Sequence, residues 1–299
     1  MANVLITGGS GLIGTPLSTM LLSKGYIVGH LTRNPGREVK NTKLFGWNIN
    51  KHEIDSQAIL WADHIIHLAG ETVGQRWTKK AKQNIVKSRV DSTRLIAEQL
   101  SIYDHRLKSF ICASAIGYYG EDTGDNVLVE VSPSGTGFLA NVVINWEQTA
   151  AAIEKHTNRL VKIRTGIVLS KEGGALGKMA GPIKWGVGSA LGSGKQWLSW
   201  IHIKDLCRMY IYALENPLEG IFNGVGPCPA TNSDFTKVLA QHLKRPLLLP
   251  KVPAFALKLL LGEMSVLVLG GNRVEPVAFL KEGFTFEFAN LSAALKSVD

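Results

Sequence analysis

Val4-Leu5-Ile6-Thr7-Gly8-Gly9-Ser10-Gly11-Leu12-Ile13-Gly14 lies at the start of the chain, and its reading decides the fold. Val4–Ile6 is a short apolar run with β-branched residues, the pattern of a buried parallel strand. Leu12, Ile13, Leu17, Met20 and Leu21 then recur at helical spacing up to a stop at Gly25. Pro16 falls in the first turns of that helix, where a missing N–H costs little. Gly8, Gly11 and Gly14 sit between strand and helix. The first permits a tight turn, the second lets a pyrophosphate approach the backbone, and the third lets the helix pack on the strand. The helix N-terminus offers unpaired N–H groups to an anion. Strand, glycine turn and helix together predict a dinucleotide site, with Leu12 and Ile13 among its contacts. The alternative is a glycine turn with a purely structural role.

A second strand over Tyr26–Thr32 ends at Thr32-Arg33-Asn34-Pro35-Gly36. A site that prefers NAD places an acid near here, about 20 residues past the glycines, to hold the ribose 2′-hydroxyl. This chain has Thr32 and Arg33, with Arg37 close behind. A guanidinium pairs with a 2′-phosphate that an acid would repel, so NADP is favoured. Arg33 as a solvated loop residue is the alternative.

Lys43–Ile49 reads as a third strand, and His64–Leu68 as another, running into Ala69 and Gly70. Small residues there suit a backbone passing close to a dinucleotide, which adds Leu68, Ala69 and Gly70 to the cofactor contacts. His64 and His67 lack partners at ligand spacing, so no metal is expected. A helix with a basic N-terminal cluster covers Arg76–Leu100, and a fifth strand, Ser109–Ala115, ends at Ser114. The long loop Ile116–Gly137, rich in Gly, Asp, Ser and Pro, resembles an active-site loop. A helix over Phe138–Lys155 and a strand over Leu160–Leu169 complete six strand units. The alternation of strand and helix predicts an α/β fold with a doubly wound parallel sheet, of Rossmann type.

The dinucleotide-binding domain is expected over 1–169, with a return strand near 220–226, and a smaller substrate lobe over 170–299. In that lobe the glycine-rich stretch 181–194 and Trp185, Trp197 and Trp200 could line a pocket. His202–Glu215 reads as helical. Thr231 and Asp234 form a capping-box-like start to a helix running to Arg245. Phe284-Thr285-Phe286-Glu287-Phe288 alternates like a strand.

With 299 residues and a net charge of +9 the chain suits a soluble protein with an anionic ligand. No nucleic-acid motif accompanies the charge, so no nucleic-acid partner is expected. Cys112, Cys207 and Cys228 form neither a disulfide pattern nor metal spacing, which fits a reducing compartment. The apolar N-terminus lacks a basic leader and is explained by the first strand. Phe255–Leu269 is broken by Lys258, Gly262 and Glu263 and cannot span a bilayer. It reads as core or as a protein-contact surface. A cytoplasmic protein with a small-molecule substrate and no membrane partner is the expectation.

Several stretches carry a family resemblance: Thr7–Gly14, His67-Leu68-Ala69-Gly70, the strand ending at Ser114 with Tyr119-Gly120 beyond it, Trp200-Ile201-His202-Ile203-Lys204-Asp205, and Phe222-Asn223-Gly224. The chain resembles the extended short-chain dehydrogenase/reductase superfamily of nucleotide-sugar epimerases and dehydratases. More narrowly it is similar to the atypical "epimerase family" branch with a C-terminal domain of unknown function. Lys87-Ser88-Arg89, Gly117-Tyr118-Tyr119-Gly120, Arg164–Leu169, Gly192-Ser193-Gly194 and Ser265–Gly271 are the cues. The resemblance implies NADP-linked oxidoreductase or epimerase chemistry, with Ser114 as the catalytic serine. The superfamily's Tyr-x-x-x-Lys should follow at the start of the next helix, where this chain has Phe138-Leu139-Ala140-Asn141-Val142-Val143. Neither tyrosine nor lysine occurs between Val131 and Glu154. Arg89 replaces the superfamily's structural asparagine and could pair with cofactor phosphate or ribose, or else form a salt bridge with Asp91 or Glu98. Tyr118, with Tyr119 beside it and Arg89 or Lys178 as the nearby cation, is the substitute acid/base candidate next to Ser114; aromatic packing of the loop is the alternative for both tyrosines. Glu71 is a weaker candidate, and His202 reads as a helix cap. A noncatalytic NADP-binding sensor or interaction protein is the alternative to an enzyme.

Overall fold

The computed structural model describes residues 1–36 and 39–298. Its strands are β1 (Asn3–Thr7), β2 (Ile27–Thr32), β3 (Thr42–Asn48), β4 (Glu53–Ile54), β5 (His64–His67), β6 (Ser109–Ala115), β7 (Asp122–Leu128), β8 (Leu160–Thr165), β9 (Ile167–Leu169), β10 (Trp197–Leu198), β11 (Trp200–His202), β12 (Gly220–Gly224), β13 (Ala230–Thr231) and β14 (Gly271–Val274). The helices are α1 (Gly14–Ser23), α2 (Ser56–Trp61), α3 (Lys79–Ile102), α4 (Phe138–Ala151), α5 (Ala175–Lys184), α6 (Ile203–Glu215), α7 (Asn232–His242), α8 (Ala254–Leu261), α9 (Val266–Leu269), α10 (Val277–Lys281) and α11 (Leu291–Ser297).

Eight strands form the main sheet in the order β12-β8-β6-β5-β1-β2-β3-β4. All neighbours are parallel except β4, which turns back antiparallel on β3 at the edge. Side chains alternate across a strand, so an apolar run must find cover on both faces. Val4 and Ile6 of β1 join one core with Leu17 and Leu21 of α1 and Leu206, Met209 and Tyr210 of α6. Leu5, between them, joins the opposite core with Ile59 of α2, Ile96 and Leu100 of α3, and Ala150 of α4. The sheet is therefore doubly wound. Strand order reverses at β1, which has β2 on one side and β5 on the other, and that opens a crevice at the carboxyl end of β1.

Four stretches differ from the sequence reading. The Ile116–Gly137 loop holds a 3-10 turn at Ile116–Tyr119 and then β7, which pairs in parallel with β14. β7 is mostly exposed and its partner lies far along the chain, so no local periodicity announces it. The strand expected over Leu160–Leu169 splits at Gly166, where a Cβ would collide with the Ser199 carbonyl oxygen. β8 stays in the main sheet, whereas β9 pairs with β11. The helix from Phe138 closes at Ala151, and a separate 3-10 turn covers Glu154–His156. Phe284–Phe288 forms no strand. It is held because the Glu287 and Phe288 N–H groups donate to the buried Asp205 carboxylate at 3.0 and 2.8 Å. Its alternation reflects packing: Phe284 enters the main core, and Phe288 lies 3.9 Å from the His202 ring.

Trp200 packs with Leu176, Phe235, Leu239 and Leu295 from α5, α7 and α11 in a separate apolar cluster, whereas α6, Phe279 and Phe284 join the main core. β12 pairs with β8 in the main sheet. The β7–β14 pair ties the chain after Ser114 to the C-terminal region. Asn272 reinforces it by accepting from the Thr123 hydroxyl and donating to the Gly120 carbonyl.

Candidate functional site: a glycine turn and a buried ionic network

The glycine turn lies at the reversal point of the sheet. Gly8 has φ +70°, a conformation that favours glycine, and a Cβ there would stand 3.1 Å from the Leu68 and Ala69 backbone. At Gly14 a Cβ would collide with the Gly8 carbonyl oxygen. The strand-to-helix step can be this tight only with glycine at both places. α1 starts without a side-chain cap; in its first turn the Thr15 and Leu17 N–H groups donate to the Gly11 and Ile13 carbonyls, each at 3.1 Å, and Pro16 has no N–H. The Thr7 hydroxyl accepts the Leu68 and Ala69 N–H groups at 3.1 and 3.0 Å, fixing the second rim of the crevice against the first.

Thr7 also reaches His67 Nδ1 at 2.7 Å, and His67 Nε2 meets Thr93 at 3.0 Å and Ser92 at 3.2 Å. Burial, with the nearby Arg89 charge, lowers the His67 pKa to about 3, so this ring is a neutral brace. His64 is likewise engaged, by Ser109 at 2.7 Å, with its pKa lowered to about 4 chiefly by burial. Among the described residues no cluster of His, Cys, Asp or Glu could hold a metal.

Arg89 lies under this rim, with its guanidinium 3.1 Å from where a Gly70 Cβ would be. It donates to the Glu71 and Ile85 carbonyls, each at 3.0 Å, and stands 5.2 Å from the Trp146 ring. Burial lowers its pKa to about 10, which leaves it charged at neutral pH. It forms no ion pair with Asp91, which faces Arg94 instead. Thr32 and Arg33 lie at the carboxyl end of β2, where the Thr32 hydroxyl accepts the Asn34 N–H at 3.2 Å. Arg33 is exposed, and Arg37 lies outside the described residues.

At the ends of β6 and β8 the structure assembles a group the sequence did not announce. The Ser114 hydroxyl donates to Glu147 Oε1 at 2.5 Å. Glu147, on α4, receives Arg164 Nε at 2.8 Å and Nη2 at 2.9 Å. Arg164 is only 1% exposed. Burial opposes its charge, but the Glu147 hydrogen bonds and carboxylate outweigh burial and hold its pKa above the usual guanidinium range. The third arm of Arg164 donates to the Tyr119 hydroxyl at 3.1 Å and the Glu130 carbonyl at 3.2 Å. Its flat face stacks 3.4 Å from the centroid of the Tyr118 ring. The cation beside Tyr118 is thus Arg164, whereas Lys178 is spent on the Gly74 carbonyl and Arg89 on its own helix and Glu71.

The comparisons with known proteins agree with this architecture. Residues 4–224 match the NAD dependent epimerase/dehydratase family, and residues 252–298 match a domain of unknown function, DUF1731. The chain belongs to the NAD dependent epimerase/dehydratase family. Epimerase family protein YfhF of Bacillus subtilis is 36% identical, over 99% of this chain and 97% of that one. The crystal structure of human epimerase family protein SDR39U1 (isoform 2) with NADPH superposes with a TM-score of 0.88 at 31% identity, covering 99% of this chain and 98% of that chain. A nucleoside-diphosphate sugar epimerase from Corynebacterium glutamicum gives a TM-score of 0.79 at 32% identity, covering 98% of this chain and 57% of that chain.

In this epimerase-family chain the place expected for Tyr-x-x-x-Lys is filled by packing. Phe138, Leu139 and Val142 join Trp77 and Ile85 in an apolar cluster that Met264, Val266 and Leu267 of the C-terminal domain close. Ser114 keeps its place at the strand end but commits its proton to Glu147. The Tyr118 hydroxyl has no hydrogen-bond partner among the described residues, whereas that of Tyr119 donates to Asn223 at 2.8 Å. Glu71 is exposed, its side chain accepting only from Gln75 at 3.4 Å. His202 caps α6 by accepting the Lys204 N–H at 3.1 Å. Glu147 and Arg164 are the residues that sequence reasoning passed over. Arg164 carried a usable signal: like Lys162 it is a charge inside a strand of a parallel sheet, and such a charge, where its side chain is buried, demands a buried counter-charge.

Proposed function

We propose that this protein binds NADP(H) and acts as an NADP-dependent oxidoreductase or epimerase-like enzyme on a small carbonyl or nucleotide-sugar substrate. The glycine turn carries the reading: two positions exclude any side chain at the mouth of a parallel-sheet crevice, beside an uncapped helix N-terminus. Gly8, Gly11, Leu12, Ile13 and Gly14 would hold the pyrophosphate, Thr32 and Arg33 the 2′-phosphate end, and Leu68, Ala69, Gly70 and Arg89 the other rim. The human relative solved with NADPH supports NADP over NAD, and the Corynebacterium relative supports nucleotide sugars as one substrate class to examine. NADPH, when bound, supplies a hydride.

This chain's own part in the reaction falls to Ser114 and Tyr118. The Ser114 proton points to Glu147, so only the lone pairs of that oxygen can meet a substrate, as acceptors from a hydroxyl. The free Tyr118 hydroxyl is the group that can donate to a substrate oxygen, and the stacked Arg164 fixes the plane of its ring. The buried Glu147–Arg164 pair positions both.

A second reading, a noncatalytic NADP-binding sensor or interaction protein, is favoured by the apolar filling at Phe138–Val142. One experiment separates the two. NADPH bound to the protein should lose its near-ultraviolet absorbance when ketones or nucleotide sugars are added, and Tyr118→Phe should slow that loss. A broad substrate panel that leaves NADPH unreacted, with Tyr118→Phe indistinguishable from wild type, rejects the enzyme.

A further inference from the structure

Helix α8 is apolar over most of its surface, yet Leu257 is its only buried residue. Phe255, Leu259 and Leu260 are 75%, 87% and 76% exposed. Single exposed apolar side chains are ordinary, but a cluster marks a contact surface. The segment leading into α8 extends the cluster. The Ser189 hydroxyl donates to the Pro250 carbonyl at 2.7 Å, and the Val252 N–H to the Ala190 carbonyl at 2.9 Å. This pairing sets exposed Leu248 and Leu249 beside the segment carrying exposed Trp185 and Val187. Along α8 and the segment leading into it the charge has one sign, up to Glu263, which pairs with Lys82. From Thr236 to Gly262 the chain holds Lys237, Lys244, Arg245, Lys251 and Lys258 and neither Asp nor Glu.

We propose that this basic, apolar face docks on the surface of an anionic lipid bilayer, with α8 in the headgroup layer. Leucine and phenylalanine would enter the acyl boundary while Lys258 reaches lipid phosphate and Lys251, whose ammonium donates to the Ser193 carbonyl at 2.6 Å, adds its charge beside it, the arrangement of interfacial helices. Trp185 suits the same depth, where an aromatic ring bridges apolar and wet regions. Charge complementarity selects the anionic surface. Charge also disfavours a second copy as the occupant, because pairing this face with itself would set its lysines and arginine against their like. Among the described residues no helix is long and apolar enough to cross a membrane, so the contact is peripheral. The proposal departs from the expectation of no membrane partner.

The test is flotation of the full chain with vesicles of phosphatidylglycerol and phosphatidylcholine, against vesicles of phosphatidylcholine alone. The protein floats with the anionic vesicles, and binding falls about tenfold between about 0.05 M and 0.5 M salt. Lys251→Gln/Lys258→Gln lowers partitioning about thirtyfold, at about a factor of five per lysine. Phe255→Glu/Leu259→Glu abolishes partitioning, with an unchanged melting temperature showing that the variant is folded. Absence of flotation, equal binding to neutral vesicles, or variants that float like wild type overturn the proposal. So does a lipid-free dimer, seen by light scattering, that Leu259→Glu dissociates, since it assigns the face to a second copy.

Discussion

Replacing Glu147 with leucine removes the acceptor on which the Arg164 guanidinium rests through two hydrogen bonds, at 2.8 and 2.9 Å. Arg164 is 1% exposed, so water cannot take over that role without opening the fold. Losing one member of a buried pair costs about 3–5 kcal/mol, and the Ser114 hydroxyl, left without its acceptor, adds about 1 kcal/mol. The total of about 4–6 kcal/mol is a large part of the about 5–15 kcal/mol that holds a typical domain. The melting temperature should fall by about 10 °C or more. Arg164→Met should cost a similar amount, because it strands the carboxylate. The double variant Glu147→Leu/Arg164→Met removes both charges together and should be more stable than either single variant, with a coupling energy of about 3 kcal/mol. Urea unfolding followed by tryptophan fluorescence measures all four corners of the cycle. If each single change costs less than about 1 kcal/mol and the two costs add, the pair is not the anchor of this region. Ser114 then loses its assigned orientation as well.

Three further outcomes follow from the geometry. Gly14→Ala places a Cβ against the Gly8 carbonyl oxygen and should lose about 1–3 kcal/mol of stability and most NADPH affinity; unchanged binding in fluorescence titration would show that the turn is not the site. His64 and His67 have folded pKa values lowered to about 4 and about 3, below the unfolded value near 6.5, so the unfolded chain binds more protons as the pH falls. Their stabilisation is complete above about pH 6.5 and declines towards pH 4, by about 3–4 kcal/mol between pH 6.5 and pH 5; a flat urea midpoint over that window contradicts it. Asp205→Ala should free the Phe284–Phe288 segment by removing the acceptor for Glu287 and Phe288, seen as faster amide hydrogen exchange at residues 284–298 and a loss of about 2–3 kcal/mol. Exchange unchanged from wild type would mean that the aromatic contacts alone hold it.

Local signals carried most of the main sheet. Val4–Ile6 and His64–His67 are buried strands because their apolar runs must be covered on both faces, and Thr231 caps α7 with Asp234 as their spacing implied. Pairing between distant segments was illegible. β7 and β14 lie far apart in sequence, and neither has an alternation that specifies its partner. Glu147 was hidden for a related reason, since on an isolated helix it reads as one more solvated acid. Only the fold brings it to Ser114 and Arg164. Phe284–Phe288 misled because alternate burial arises wherever an extended chain lies along a core, whether or not a neighbouring strand pairs with it.

Calorimetric titration of the purified protein with NADPH and with NADH tests the central claim most directly. The glycine turn and Arg33 predict that NADPH binds at least about tenfold more tightly, and that Arg33→Ala removes that preference while leaving NADH binding nearly unchanged. No measurable affinity for NADPH, or equal affinity for the two nucleotides with Arg33→Ala weakening both alike, would contradict it.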